Sequence, residues 1–139
     1  MQRGVFMKRK LMVFISLVMI ICLCSFVPPD NPISPNYLYT YSCSSSLSIS
    51  GSTATCTSNL TGYPGVTTKI VVKQILQVKD GNLWRTAHSW TKTYYSNSCS
   101  YVNTRTIYSG NTYRVKSEYT VYAGSNYETV YSYSSSYTT

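Results

Sequence analysis

Residues 109–124 read SGNTYRVKSEYTVYAG, and from Tyr113 onward the side chains alternate in character. Tyr113, Val115, Ser117, Tyr119 and Val121 are apolar or small, while Arg114, Lys116, Glu118, Thr120 and Tyr122 stand between them. A period of two places these sets on opposite faces of a β-strand, one made for burial and one for water. Around this stretch the chain is rich in Ser, Thr, Tyr and Val. Thr, Tyr and Val favour strands, whereas Ser and Thr weaken helices. Gly51, Pro64-Gly65, Asp80-Gly81, Gly110 and Gly124 punctuate the chain as turns. Short strands with turns at such spacing predict an all-β, antiparallel sandwich or barrel.

The pattern predicts seven strands, near 44–50, 53–60, 67–79, 83–92, 101–108, 112–122 and 127–135. The second carries Ala54, Cys56 and Leu60 on one side and Thr53, Thr55 and Thr57 on the other. In the third, Ile70, Val72, Leu76 and Val78 share a face. Val71 and Ile75 lie opposite among Lys69, Lys73, Gln77 and Lys79, so this strand is apolar enough to be central. The fourth is expected to carry Trp84 and Trp90 on one face. The tail SYSSSYTT (132–139) is expected to fray.

The N-terminus has a different character. Lys8-Arg9-Lys10 precedes LMVFISLVMIICLCSFV (11–27), followed by PPDNP. A positive region, an apolar run and a helix-breaking exit predict a secretory signal helix over residues 1–27. The run is at the short edge of what spans a bilayer, so an uncleaved N-terminal anchor is the alternative, and membrane contact is expected only through it. Either way the C-terminal body is expected outside the cell, secreted or on the outer face of the membrane. Residues 28–42 (PPDNPISPNYLYTYS) read as an extended linker and 43–139 as the β domain.

The formal net charge is +8. Arg3, Lys8, Arg9 and Lys10 precede the apolar run. The eight later cations (Lys69, Lys73, Lys79, Arg85, Lys92, Arg105, Arg114 and Lys116) face Asp30, Asp80, Glu118 and Glu128, which leaves the body at about +4 (8 − 4). Along the chain these charges are spread thinly, with no run of Lys and Arg interleaved with aromatics, so nucleic acid is not an expected partner.

Five cysteines are present. Cys22 and Cys24 lie in the apolar run. Cys43, Cys56 and Cys99 remain, and an exported protein could pair two of them. Cys43 with Cys99 is the first choice, closing a long loop worth roughly 4 kcal/mol of chain entropy. Cys56 with Cys99 is the runner-up, and small apolar fillers the plainer reading.

Gly110 followed closely by Tyr113 and then alternation resembles the start of strand F in immunoglobulin-like and fibronectin type III domains. There a tyrosine corner ties the crossing between sheets to the backbone. Tyr113 would hold that place. The chain departs from the immunoglobulin pattern in having no cysteine on this strand and its tryptophans after the third strand. A second resemblance covers most of residues 44–135. It rests on the ordered words ISGSTATC (49–56), TTKIVVKQILQ (67–77), Trp84 and Trp90, SGNTYRV (109–115) and SNYETVYSYS (125–134). They are similar to a family of small exported β-sandwich proteins of Gram-positive bacteria, many from gut-dwelling clostridia, with no assigned activity. The resemblance implies export and an immunoglobulin-like sandwich, and carries over no catalytic residue.

Chemistry-bearing residues are few. His88 is the only histidine; between Ala87 and Ser89 it reads as a half-exposed strand residue rather than the base of a triad. Four carboxylates are too few and scattered to suggest a glycosidase pair. Glu118 reads as a cross-strand partner for Lys or Arg. No C-x-x-C, His pair, acidic calcium loop or Gly-rich phosphate loop is present. Asp80-Gly81-Asn82 reads as a hairpin turn. No enzyme activity, metal or cofactor is expected.

The fifteen tyrosines are the unusual resource. A flat apolar ring with a hydroxyl suits stacking on sugars or gripping a protein, and it also serves simply to cover solvated strand faces. Tyr94, Tyr95, Tyr122 and Tyr131 are the candidate binding surface. Tyr113, Trp84, Trp90 and Cys56 are expected in structural roles. The expected function is a non-catalytic exported module binding a surface glycan, a wall polymer or a protein. A small bacteriocin-like effector is the alternative.

Overall fold

The computed structural model describes residues 36–139. The signal or anchor expected over 1–27, and the linker up to residue 35, lie outside the described residues. These are all-β: β1 (Thr40–Ser50), β2 (Thr53–Gly62), β3 (Lys69–Asp80), β4 (Leu83–Tyr94), β5 (Ser98–Thr106), β6 (Thr112–Ala123), β7 (Asn126–Tyr133) and the short β8 (Tyr137–Thr138). They form two antiparallel sheets, β1-β2-β5 and β4-β3-β6-β7, with β8 beside the start of β6. Residues Thr112–Ala123 form β6, whose burial alternates strictly from Thr112 to Val121. β3 is central, between β4 and β6, in keeping with its two apolar sides. The hairpins β3–β4 and β6–β7 turn on two residues. Gly81 (φ +59°) and Gly124 (φ +63°) take the left-handed first position that disfavours side chains.

The inner faces of the two sheets meet in two apolar clusters. One gathers Leu47, Ala54, Cys56, Leu76, Ile107, Tyr113 and Val115. The other gathers Leu60, Ile70, Val72, Cys99, Tyr119, Val121 and Val130. A polar belt crosses the sandwich at Ser45, Ser58, Gln74, Asn103 and Ser117. The Gln74 amide donates to Ser58 Oγ at 2.7 Å and to the Tyr101 carbonyl at 3.0 Å, and accepts from Asn103 Nδ2 at 2.9 Å. Ser117 Oγ lies 2.6 Å from both Ser58 Oγ and Ser45 Oγ. Gln74, Ser58 and Ser117 are fully buried, and this mutual satisfaction removes the desolvation penalty each would otherwise carry.

Four expectations are corrected. First, the folded unit begins before residue 43. β1 starts at Thr40, Tyr37 and Tyr39 pack on the second cluster, and the Glu128 carboxylate accepts from the Leu38 and Tyr39 amides at 2.8 and 2.9 Å. Second, the tail does not fray. β8 pairs with β6, and Thr139 exchanges backbone hydrogen bonds with Gly110 and Asn111. Third, Trp84 and Trp90 do not share a face. Leu76 pairs with His88 but Gln77 pairs with Thr86, so Ala87 is an extra residue in β4. This bulge reverses the side-chain parity beyond it. Trp90, opposite buried Gln74, packs on the first cluster, while Trp84, opposite Lys79, lies on the outer face.

Fourth, Cys43, Cys56 and Cys99 are all free thiols. Cys43 and Cys99 both stand in register with Leu60, one on each side of β2. Two strand spacings, about 10 Å, separate their Cα atoms, beyond the ~7 Å a disulfide can bridge. Cys56 lies in the other cluster, four residues along β2 from Leu60.

Tyr113, at the start of β6, is buried. Its hydroxyl donates to the Tyr108 carbonyl and accepts from the Tyr108 amide, each at 3.2 Å, and so ties the segment linking β5 in one sheet to β6 in the other.

Candidate functional site

The two outer faces of the sandwich differ chemically. On the β1-β2-β5 sheet, register places Ser42, Ser44, Ser46, Ser48 and Ser50 beside Thr53, Thr55, Thr57, Asn59 and Thr61. Beyond those lie Ser98, Ser100, Val102, Thr104 and Thr106. No charged residue is among them.

The outer face of the β4-β3-β6-β7 sheet is cationic and aromatic. β3 contributes Lys69, Lys73 and Lys79, and β6 contributes Arg114, Lys116 and Tyr122. β7 contributes Tyr127, Tyr131 and Tyr133, and β4 contributes Trp84 through its bulge. The register forms cross-strand rows. Lys69 faces Tyr122, which faces Tyr127; Lys73 faces Glu118, which faces Tyr131; Ile75 faces Lys116, which faces Tyr133. Ile75 is buried although it belongs to this outer face, so the long side chains around it form a cover of their own.

The cations lie on the rings. Lys69 Nζ is 3.8 Å from the centre of the Tyr122 ring, and Lys116 Nζ is 5.1 Å from that of Tyr131. The Arg114 guanidinium lies 4.2 Å from the centre of the Trp84 ring and 4.8 Å from that of Tyr133. Each such contact contributes about 0.5–1 kcal/mol at a partly exposed site. Arg114 Nε donates to Gln77 Oε1 at 2.8 Å, which sets the rotation of its plane. Among the described residues Glu118 is the one carboxylate on this face, 2.6 Å from Lys116 Nζ and 3.9 Å from Lys73 Nζ. That hydrogen bond to Glu118 raises the Lys116 pKa above the ordinary amine value, so the amine stays charged.

Charge counting shows how one-sided the domain is. Residues 36–139 hold eight cations and three carboxylates, a net +5 (8 − 3). The outer face carries five cations and Glu118, +4 of that total (5 − 1). The linear reading found no cluster because Lys69, Lys73 and Lys79 are some forty residues from Arg114 and Lys116; antiparallel pairing of β3 with β6 brings them together.

Of the tyrosines singled out as a binding surface, Tyr122 and Tyr131 lie on this face. Tyr94 does not. It packs on the second cluster, stands edge-on to Tyr101 at 6.4 Å, and donates its hydroxyl to the Ser100 carbonyl at 2.8 Å. Tyr95 is in the β4–β5 loop, 85% exposed. Tyr127 and Tyr133, 64% and 50% exposed, and Arg114 join this face although they are not among the four candidate surface residues. Their even-numbered or odd-numbered positions relative to buried neighbours were the signal that placed them here.

Elsewhere, His88 lies edge-on to Trp90, ring centres 4.5 Å apart. A cavity of about 390 Å³ opens between Ala87, Arg105, Ile107 and Tyr113, with Arg105 the only charged lining residue among the described residues. Among the described residues no three His, Cys, Asp or Glu side chains converge as a metal site. No family model, curated protein or solved structure matches the chain.

Proposed function

We propose that the protein is an exported, non-catalytic binding module of the immunoglobulin and fibronectin type III kind, and that it engages a surface glycan, wall polymer or protein through the outer face of the β4-β3-β6-β7 sheet. The observation that carries this reading is the row of Tyr127, Tyr131 and Tyr133 beside ring-stacked Lys69, Lys116 and Arg114. Half-exposed rings and held cations form a contact surface whose side chains lose little freedom on binding. The strand order β1-β2-β5 against β4-β3-β6-β7, with the Tyr113 hydroxyl at the β5–β6 crossing, supports the fold assignment. Export rests on the leader-like N-terminus and on the resemblance to exported Gram-positive sandwich proteins.

The test is co-sedimentation of the full-length secreted protein with isolated Gram-positive cell walls, alongside a glycan array. Retention on at least one, lost in a folded Tyr131→Ala/Tyr133→Ala double variant, is the expected result. No retention on either, or retention indifferent to the double variant, overturns the proposal.

A further inference from the structure

We infer that the partner of this face is an anionic polysaccharide, and that Arg114 anchors one of its acidic groups. The inference rests on the binding-module reading above and specifies its ligand.

Three observations point to negative charge. The face carries five cations against one carboxylate, and that carboxylate is occupied by Lys73 and Lys116. Among the described residues the opposite face of the sandwich carries no charge, so the attraction of these strands orients an anionic partner to one side. Arg114 is a built anion receptor. Trp84 and Tyr133 flank its guanidinium, Gln77 fixes Nε, and among the described residues no carboxylate pairs with it. The two terminal amino groups remain, a planar fork matched to the two oxygens of a carboxylate or phosphate.

Two further observations narrow the ligand, the first excluding a small ion and the second a nucleic acid. Lys69, Lys73 and Lys79 occupy the first, third and last of six successive outer positions of β3, a length of about 34 Å at the usual strand rise. That length suits a polymer with repeating charge rather than a small ion. Single-stranded nucleic acids are gripped by bases laid flat on aromatic faces. Here cation heads already cover faces of Tyr122, Tyr131, Tyr133 and Trp84. A polysaccharide that carries its own carboxylates needs only the cation heads, the tyrosine hydroxyls and the apolar ring edges.

The experiment measures binding of the full-length protein to immobilised polygalacturonate, neutral dextran and single-stranded DNA at 50 and 200 mM NaCl, with the wall and glycan-array assays run in parallel. Polygalacturonate is expected to bind, and to weaken about tenfold or more across that salt range, whereas dextran does not bind. Arg114→Ala is expected to weaken binding at least tenfold, since a charged hydrogen-bonded pair is lost. Arg114→Lys keeps the charge but loses the fork, and should remain about fivefold weaker than the wild type. Glu118→Gln removes the only negative charge and should tighten binding about fivefold, the usual effect of one charge beside a polyanionic surface. Each variant is checked for an unchanged near-ultraviolet dichroism spectrum. Equal binding to dextran, tighter binding to DNA, or full activity of Arg114→Lys overturns the inference. Retention on walls or neutral glycans without polygalacturonate binding overturns it and leaves the binding module standing; no retention anywhere removes both.

Discussion

Cys43 and Cys99 oppose the same residue, Leu60, from opposite sides of β2. The centre strand thus keeps apart two thiols that an oxidising compartment would otherwise invite to pair. All three described cysteines are free, and burial pushes Cys56 and Cys99 up to about 11. Such thiols are poor nucleophiles at neutral pH. Native protein treated with iodoacetamide should show Cys56 and Cys99 unlabelled in a peptide mass map. In guanidinium without reductant both should label fully. A disulfide-linked peptide in the second map would contradict the geometry.

Tyr113 holds the crossing between the sheets through one hydroxyl. Tyr113→Phe keeps the buried ring and removes the two bonds to Tyr108. The expected cost is about 1–2 kcal/mol. The urea midpoint should fall by roughly 0.5–1 M with an unchanged slope. A midpoint equal to wild type would mean the hydroxyl is ornamental.

Gln74 is the hub of the polar belt. Gln74→Leu supplies similar volume but leaves Ser58, Asn103 and the Tyr101 carbonyl without their amide partner. The penalty should be about 2–4 kcal/mol, a fall of roughly 10 °C or more in Tm by calorimetry. A stabilised Gln74→Leu protein would show that the belt is tolerated rather than needed.

Stability should fall in alkali. Burial pushes Tyr119 up to about 12, and the Cys56 and Cys99 thiols up to about 11. Each folded pKa exceeds its unfolded value of 9.0 or 10.0. The stabilisation is therefore complete below about pH 9. It is lost as the pH rises towards 12, because the unfolded chain releases protons that the folded one keeps. Tm measured from pH 7 to 11 should hold to about 8.5 and then decline; a flat profile to pH 11 would rule this linkage out.

Glu128 ties down the segment ahead of β1. Glu128→Ala removes both acceptors for the Leu38 and Tyr39 amides. Those two amides should exchange at least tenfold faster by hydrogen-exchange mass spectrometry, while the amides of β3 and β6 stay protected.

The strands and turns were legible because period two survives in β2, β3 and β6 and because glycines mark the hairpins. The face of Trp84 is not legible because a bulge leaves no mark in the sequence: Ala87 looks like any strand residue, yet it reverses every side chain beyond it. The cysteine pairing was misjudged because sequence distance says nothing about which strand lies between. The early start of β1 was hidden by the prolines before it; the contacts that recruit Tyr37 to Tyr39 come from Glu128 and the core. The tail was judged by composition, but its stability comes from Gly110 and Asn111. For the candidate face, Tyr122 and Tyr131 were visible as strand tyrosines. Arg114 gained its interest only from Trp84, Gln77 and Tyr133, three neighbours on three other strands.

The belt through the middle of the sandwich also governs how the two layers may move. Greasy layers alone could slip by two residues along the strand axis and meet oil with oil again. With Ser58 and Gln74 meeting at one point only, such a slip would strand a bare amide in hydrocarbon. The belt therefore keys the two layers to a single alignment and resists gliding between them.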